Sequence, residues 1–365
     1  MINRPNNRNM NRKILIIGSN GILGRHILEK AITAFGVENL VISDYKEVRL
    51  NQQKKQIKST FGNEPLSKVI DISSEESIRS GLIDIDLVIV AIQQEVPLIQ
   101  KQCIEKGINS IDLSVKPSFI SKTLELNRIQ GIKTIQLIMG GLFPGLSGIL
   151  AKEIYESSLQ NQPIDIGLLQ SSNGTNGKSG VSDMLMIFDK DVELLKEVTI
   201  EKHSGYSYKK KFEYPEPFGI KTHRLANFIE RDYLKEYGIK SNYWTSFDRP
   251  SLNTIISILK NLCFLKLFKY PQISRVLSSL ITKQNKGDKN EFIGLSAKSS
   301  NNEISIVLTS DYEATASCTI AFARIILNEE KEIKGIKFPF EIFTFEELKQ
   351  DLSDVIKEIK APNMV

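Results

Sequence analysis

Three glycines spaced by three residues stand directly after an apolar run near the start of the chain. They are Gly18, Gly21 and Gly24 of the segment GSNGILGR, and the run before them is KILIIG (13–18). A short, branched run of this kind is typical of a buried strand, and the apolar spacing after Gly24 is typical of a helix. In that context the first glycine makes a tight turn, the second lets a pyrophosphate approach the backbone, and the third lets helix and strand pack closely. The pattern predicts a phosphate cradle at the positive end of a helix.

An acidic residue follows at the spacing that a dinucleotide site requires. Asp44 ends the second apolar run, twenty residues beyond Gly24. A carboxylate there can accept hydrogen bonds from both ribose hydroxyls and would repel a 2′-phosphate. Lys46 and Arg49 follow closely and would soften that preference. We therefore expect NAD or NADP as the cofactor, with Asp44 favouring NAD. The alternative is a Gly-rich turn in a Rossmann-like fold that holds no cofactor.

The other cofactor contacts are expected at strand ends, because ligands of open parallel sheets bind at the carboxyl ends of the strands. Asp71 and Ile72 are expected beside the adenine, and Ala91 and Ile92 near the nicotinamide ribose. For each of these singly, a solvated loop residue is the alternative. The predicted contacts are Gly18, Ser19, Asn20, Gly21, Ile22, Leu23, Gly24, Asp44, Asp71, Ile72, Ala91, Ile92, Leu113 and Ser114.

A second Gly-rich segment, SSNGTNGKSGVSD (171–183), contains Gly177-Lys178-Ser179 and looks like the end of a triphosphate loop. That motif requires a glycine five residues before Gly177, and the residue there is Ser172. The run before it, IDIGLLQ (164–170), opens a second domain rather than a nucleotide-binding one. We therefore exclude an ATP loop and expect a flexible loop that brings Lys178 and Ser179 to the nicotinamide; a solvated loop is the alternative.

Hydride transfer needs a water-excluding pocket and often a proton donor, and an amino-acid-derived substrate also needs cations for its carboxylates. The candidates for these catalytic and substrate-binding roles are Lys116, Lys178, His223 and Arg224. A lone histidine is more often a structural residue than a catalytic one.

Composition narrows the class of protein. The 365 residues are 41% hydrophobic and 25% charged, as in ordinary globular proteins. The formal net charge is +5, of which Arg4, Arg8 and Arg12 supply three, so no nucleic-acid partner is indicated. The three cysteines and three histidines show no disulfide or metal spacing. We expect a cytoplasmic protein without a metal, whose first residues form a disordered tail.

Short apolar runs alternate with amphipathic segments through the first part of the chain, which requires parallel crossovers. After residue 146 the strands become longer, more polar and alternating, as in a mixed or antiparallel sheet. These patterns predict an α/β protein with a doubly wound Rossmann domain and a second α+β domain. The segments 314–328 and 344–360 are predicted as C-terminal helices, with Thr344 and Glu347 in a capping box. The expected divisions are a tail (1–12), the Rossmann domain (13–145), a substrate domain (146–310) and C-terminal helices that return to the Rossmann domain (311–365).

Residues 254–283 are apolar and basic and contain no acidic residue. Lysines interrupt the run too often for a bilayer span. The favoured interpretation is a helix pair packed in the second domain or at a homodimer interface, and the alternative is a helix on a membrane surface.

Taken together, several segments resemble the saccharopine dehydrogenase-like oxidoreductases. They are IIGSNGILGRHI, SIDLSVKPSF, MGGLFPGLSGILA, YPEPFGIKTHR, SDYEATASCTIAFARIIL and KGIKFPFEIF. In that family the segment around Pro144 closes the dinucleotide-binding domain and leads into a second domain whose open sheet covers the nicotinamide. The lysine-forming enzymes of that family use a Lys and a His as acid and base, and no histidine of this sequence is matched to theirs. The resemblance therefore implies the fold and hydride chemistry and leaves the substrate open.

Two functions follow from these patterns. The first is an NAD(P)-dependent oxidoreductase that acts on a small C=N or C=O substrate. The second is a non-catalytic Rossmann-type module that binds a membrane surface or a protein partner through residues 254–283.

Overall fold

The structure is a computed structural model and describes residues 12–158, 162–172, 187–188, 190–262, 291–328 and 331–360. The chain divides into two compact units. The first unit runs to Gly140 and adds Thr319–Ile342, and the second comprises Gly141–Cys318 and the chain from Phe343 onward. The predicted α/β class, with a doubly wound sheet and a second mixed-sheet unit, is confirmed.

The strands are short in the first unit and longer in the second. In chain order they are β1 (Ile14–Ile17), β2 (Leu40–Asp44), β3 (Leu66–Val69), β4 (Leu87–Val90), β5 (Asn109–Asp112), β6 (Ile135–Leu137), β7 (Ile164–Gln170), β8 (Asp191–Leu195), β9 (Ile200–Ser204), β10 (Lys209–Tyr214), β11 (Gly219–Ala226), β12 (Ser241–Phe247), β13 (Ile293–Lys298), β14 (Glu303–Leu308), β15 (Gly335–Lys337) and β16 (Ile356–Lys360).

Helices follow most strands of the first unit and are sparser in the second. In chain order they are α1 (Ile22–Phe35), α2 (Glu47–Phe61), α3 (Glu75–Gly81), α4 (Leu98–Lys106), α5 (Pro117–Leu124), α6 (Leu146–Ser157), α7 (Glu230–Glu236), α8 (Pro250–Asn261), α9 (Asp311–Asn328), α10 (Pro339–Ile342) and α11 (Phe345–Lys349).

The first unit holds a parallel sheet in the order β15-β6-β5-β4-β1-β2-β3. Six of these strands follow the doubly wound order in which the strand sequence reverses beside β1. The central strands are apolar along their length because helices cover both faces of such a sheet. The carboxyl ends of β1, β4 and β5 therefore meet at one edge, where a ligand of this fold binds.

The second unit holds a mixed sheet in the order β10-β11-β12-β7-β13-β14-β16. Only β12 and β7 pair in parallel, and the other neighbours are antiparallel. A separate hairpin of β8 and β9 packs Val192 and Leu194 against a core cluster that includes Trp244.

The predicted helix over residues 344–360 is wrong in its second half. The capping box of Thr344 and Glu347 is present at the start of α11, but Ile356–Lys360 is strand β16. Leu348, Leu352, Val355 and Ile359 have helical spacing, which explains the prediction. Pairing with β14, in which Ile359 lies opposite Ile306, overrides that local pattern. Residues from Phe343 onward consequently belong to the second unit rather than to the Rossmann unit.

Candidate functional site

The turn after β1 leaves no room for a side chain at its first and third glycines. Gly18 has a φ of 88°, and a Cβ there would overlap Ile92 Cγ2 and lie 3.1 Å from the Ala91 carbonyl oxygen. A Cβ on Gly24 would overlap the Gly18 carbonyl oxygen and lie 3.1 Å from Ser19 Cα. Close packing between the turn, α1 and the end of β4 therefore requires both glycines.

Gly21 differs because the space around it is open. Among the atoms of the described residues, a Cβ there would meet only the Gly18 carbonyl oxygen within 4 Å, at 3.3 Å. Gly21 is the N-cap of α1, and among the described residues no side chain caps this helix. The N–H groups of its first turn, beginning at Ile22 and Leu23, have no acceptor within the helix and so can bind an anion. An open cradle over an uncapped helix N terminus fits a pyrophosphate.

A buried glutamine that the sequence analysis missed holds this turn in place. Ser19 Oγ donates to Gln53 Oε1 at 2.8 Å, and Gln53 Nε2 donates to the Ser19 carbonyl oxygen at 2.8 Å. Both side chains are buried. Gln53 shares the buried face of α2 with Leu50 and Ile57, and this spacing was the available signal.

Asp44 ends β2 beside the glycine turn. Its carboxylate accepts from Asn20 Nδ2 at 3.1 Å and from the Lys46 backbone N–H at 3.0 Å. Arg49 Nε lies 3.2 Å from Asp44 Oδ2. The carboxylate is thus oriented at the turn, and a guanidinium stands next to it.

Asp71 and Ile72 lie beyond β3, which ends at Val69. Asp71 is exposed and accepts hydrogen bonds from the hydroxyl and the backbone N–H of Ser73, and these bonds lower its pKa. Asp71 therefore closes a turn at the strand end.

Hydrogen bonds join the ends of β1, β4 and β5. The Ala91 N–H donates to the Ile17 carbonyl at 2.9 Å, and the Leu113 N–H donates to the Val90 carbonyl at 3.2 Å. Ser114 Oγ donates to the Ile92 carbonyl at 3.3 Å. The structure thus brings Ala91, Ile92, Leu113 and Ser114 to one sheet edge.

A buried carboxylate that the sequence analysis also missed lies at this edge. Asp112, the last residue of β5, is fully buried and accepts from Gln94 Nε2 at 2.7 Å and Gln100 Nε2 at 2.8 Å. The Ser114 backbone N–H donates to its other oxygen at 2.7 Å. Burial raises the pKa of Asp112 to about 6, although these hydrogen bonds act in the opposite direction.

Lys116 is the N-cap residue of α5 and forms an ion pair with Glu95. The pairing lowers the pKa of Glu95. Both side chains are exposed, so the pair contributes little stability and leaves the ammonium free to exchange partners.

His223 and Arg224 are neighbours on β11, so their side chains point to opposite faces of the second sheet. His223 is fully buried, with Nε2 2.6 Å from Tyr214 Oη and Nδ1 2.7 Å from Ser246 Oγ. Burial lowers its pKa to about 3. Its ring also stacks on Phe212 at a centroid distance of 4.8 Å. These two sequence candidates therefore cannot contact one ligand from the same side.

Arg224 is partly exposed on the other face. Its guanidinium carbon lies 5.2 Å from the centre of the Tyr206 ring, and Nη1 donates to the Tyr206 carbonyl at 3.4 Å. Its remaining N–H groups leave it capable of binding an anionic ligand.

The segment around Pro144 is organised by Glu230, which the sequence analysis did not single out. Glu230 is buried in the second unit, where it accepts from the Gly145 N–H at 2.8 Å, from Tyr243 Oη at 2.7 Å and from Ser147 Oγ. Burial raises its pKa, while these hydrogen bonds lower it. The Glu230 carboxylate therefore lies at the N terminus of α6, bonded to the N–H group of its N-cap residue Gly145. At the N terminus of α1, by contrast, the corresponding position is open.

Lys178, Ser179 and most of the loop 171–183 lie outside the described residues, as does the part of 254–283 beyond Leu262. In the described part of the chain, no cluster of histidine, cysteine or acidic residues could hold a metal ion. No described helix combines the length and hydropathy needed to cross a membrane.

No family model and no curated protein sequence matches this chain. Among solved structures, it is similar to apo saccharopine dehydrogenase (L-Glu forming) from Saccharomyces cerevisiae, with a TM-score of 0.64 and 11% identity over 96% of this chain and 100% of that one. An oxidoreductase from Sinorhizobium meliloti matches with a TM-score of 0.41 and 12% identity over 94% of this chain and 95% of that one. A probable dehydrogenase from Thermotoga maritima gives 0.44 and 12% over 93% of both chains. At these identities the similarity concerns the fold alone. The match to the yeast structure, with a TM-score of 0.64, shows that this chain has the α/β fold of that saccharopine dehydrogenase.

Proposed function

We propose that the protein is an NAD(P)-dependent oxidoreductase that transfers hydride to or from a small C=N or C=O compound. The observation that carries this proposal is the open position at Gly21, at the uncapped N terminus of α1 and on the carboxyl edge of a parallel sheet. A fold that only needed a tight turn would require Gly18 and Gly24 and would tolerate a side chain at the open position.

The chain's residues have distinct roles in this proposal. The N–H groups at the start of α1 bind the pyrophosphate, and Gln53 keeps Ser19 in the geometry that exposes them. Asp44 accepts from the adenosine ribose. The bound nicotinamide nucleotide supplies or accepts the hydride.

The cofactor preference depends on Asp44 and Arg49. We propose NAD as the preferred cofactor, because Asp44 carries its negative charge where a 2′-phosphate would lie. Arg49 is half-exposed and neutralises part of that charge from 3.2 Å. The expected preference is therefore moderate rather than absolute.

For the substrate, we propose Arg224 as a carboxylate-binding residue, since its guanidinium is partly exposed. Lys116 and Lys178 stay proposals for the same role or for proton transfer. His223 is assigned a structural role, because its ring is buried and both of its nitrogens are already hydrogen-bonded, to Tyr214 and Ser246, so neither is available to a substrate. The buried free thiols of Cys103 and Cys318 support a reducing, cytoplasmic compartment.

The decisive experiment is a titration of the purified, folded protein with NADH and NADPH, followed by nicotinamide fluorescence. Saturable binding, tighter for NADH, is the expected result. Binding of neither nucleotide by a sample with a cooperative melting transition would exclude the proposal. Turnover is then measured by nicotinamide absorbance with panels of amino acids, oxo acids and imines.

A second candidate is the non-catalytic module. It is favoured by Ile255, Ile258 and Leu262, which lie at helical spacing along α8 and its end and are all exposed. Flotation with vesicles containing anionic lipid tests it. Salt-sensitive binding in a protein that binds no nicotinamide nucleotide would favour this function over the first.

A further inference from the structure

At the carboxyl edge of β4 and β5, the carboxylate of Asp112 fixes the orientation of the polar groups around it. Asp112 is fully buried, and within the described residues no lysine, arginine or histidine pairs with it. Its partners are the amides of Gln94 and Gln100 and the backbone N–H of Ser114. A carboxylate accepts hydrogen bonds only, so both glutamines must direct Nε2 toward it and Oε1 away.

The two glutamine oxygens have different surroundings. Gln100 Oε1 is buried and has no hydrogen-bond partner in the described ranges, so it faces the protein interior. Gln94 is only 5% exposed, but its Oε1 differs from that of Gln100: it has no partner among the described residues and is not fully enclosed. Gln94 follows β4 by four residues, at the edge where a ligand of this fold binds. The chain thus presents one oriented acceptor at this edge.

We propose that Asp112 is a positioning residue that holds the Gln94 carboxamide with its oxygen outward, as an acceptor for an N–H or O–H donor on the nicotinamide riboside half of the cofactor. This inference rests on the proposed function. The donor is either a ribose hydroxyl or the carboxamide N–H₂ of nicotinamide. Without the carboxylate, the Gln94 amide could rotate and present a donor instead, which would repel both groups.

The chain offers a matched control, because Gln94 and Gln100 donate equivalent hydrogen bonds to the same carboxylate oxygen. Gln94→Met and Gln100→Met each remove one of these bonds and replace the amide with a side chain of similar length. A purely structural role of the cluster predicts equal effects of the two changes. The proposal predicts that only Gln94→Met weakens cofactor binding.

The experiment measures the dissociation constants of NADH, ADP-ribose and ADP for the wild type, for both variants and for Asp112→Asn, together with melting temperatures. For Gln94→Met and Asp112→Asn we expect NADH to bind about three- to tenfold more weakly, the loss of one hydrogen bond, with ADP unchanged. Gln100→Met should stay within about twofold of wild type for every ligand. Weaker ADP-ribose binding would identify the ribose as the donor, and unchanged ADP-ribose binding would identify the carboxamide.

Two outcomes would overturn the inference, and they are distinguishable from failure of the proposed function. Equal weakening by Gln94→Met and Gln100→Met, or equal loss of ADP and NADH, would show a merely structural cluster. Unchanged NADH binding in a folded Gln94→Met protein would show that this oxygen contacts no cofactor. A wild type that binds no nicotinamide nucleotide would instead remove the proposed function, and this inference with it.

Discussion

Replacing Gly21 with alanine should weaken nucleotide binding roughly ten- to a hundredfold and leave the fold intact. In the part of the chain that the structure describes, the new Cβ would meet one atom within 4 Å, the Gly18 carbonyl oxygen at 3.3 Å. The Gly21 backbone is already extended, with φ −67° and ψ 167°. We expect a stability cost of about 0.5–1 kcal/mol, that of a poorer N-cap. The methyl group occupies the space through which phosphate oxygens reach the helix N–H groups. Loss of one such charge-assisted bond, about 1.5–3 kcal/mol, weakens binding roughly ten- to a hundredfold.

Gly24→Ala is the matched control, because it adds the same methyl group three residues later, where the methyl group would overlap backbone atoms. Its Cβ would overlap the Gly18 carbonyl oxygen and lie 2.8 Å from the carbonyl carbon. Overpacking of about 3 kcal/mol, offset by about 1 kcal/mol of helix propensity, leaves a net loss near 2 kcal/mol. Melting temperatures should fall by roughly 4–8 °C for Gly24→Ala and by much less for Gly21→Ala. Both variants are measured by calorimetric melting and by NADH titration. If a folded Gly21→Ala protein bound NADH as tightly as the wild type, the turn at Gly21 would not be the pyrophosphate site.

The remaining predictions concern charge and burial. Because burial raises the folded pKa of Asp112 from 3.8 to about 6, its contribution to stability is greatest in acid and is lost as pH rises through these two values. In chemical denaturation, the unfolding free energy of the wild type should fall by about 3 kcal/mol relative to that of Asp112→Asn between roughly pH 3 and pH 7, and an equal pH dependence of the two proteins would contradict the prediction. His223→Leu should cost about 2–5 kcal/mol of unfolding free energy, because the hydroxyls of Tyr214 and Ser246 lose their partner, yet leave nucleotide affinity unchanged; a folded variant whose only defect is turnover would show that His223 is catalytic. Asp44→Ala should narrow the NADH preference about tenfold, whereas Glu47→Ala, with the same charge change on an exposed residue, should leave the ratio of NADH to NADPH affinity unaltered.

Two buried carboxylates with several hydrogen bonds each, Asp112 and Glu230, were beyond sequence reasoning. In the sequence, Asp112 stands at the end of a short apolar run in SIDLS, and Glu230 stands beside other charged residues in IERDY, so neither is marked as buried. Burial distinguishes them, and burial depends on what packs against a residue from distant parts of the chain. Glu230 contacts Ser147, 83 residues away, and Asp112 contacts Gln94, 18 residues away. The spacing of residues along the chain does not predict such long-range contacts.

The helix prediction for residues 344–360 was wrong in its second half for a related reason. Apolar residues in 344–360 recur at helical intervals, but the free edge of β14 was available to pair with Ile356–Lys360. Backbone pairing between β14 and β16 outweighs the small differences in intrinsic propensity between helix and strand.

The sequence by itself determined the Rossmann unit, because its rules act over short distances. A strand, a turn that requires two glycines for packing and one for access, a helix and an acid twenty residues on all lie within residues 13–44. The tertiary structure decided which polar residues are buried and which way they face. It separated His223 from Arg224 onto opposite faces of a sheet and placed Gln53 behind the glycine turn. It also left Gln94 Oε1 open at the sheet edge while Gln100 Oε1 was buried, since a residue's exposure is set by the surfaces that fold against it and not by its neighbours in the chain.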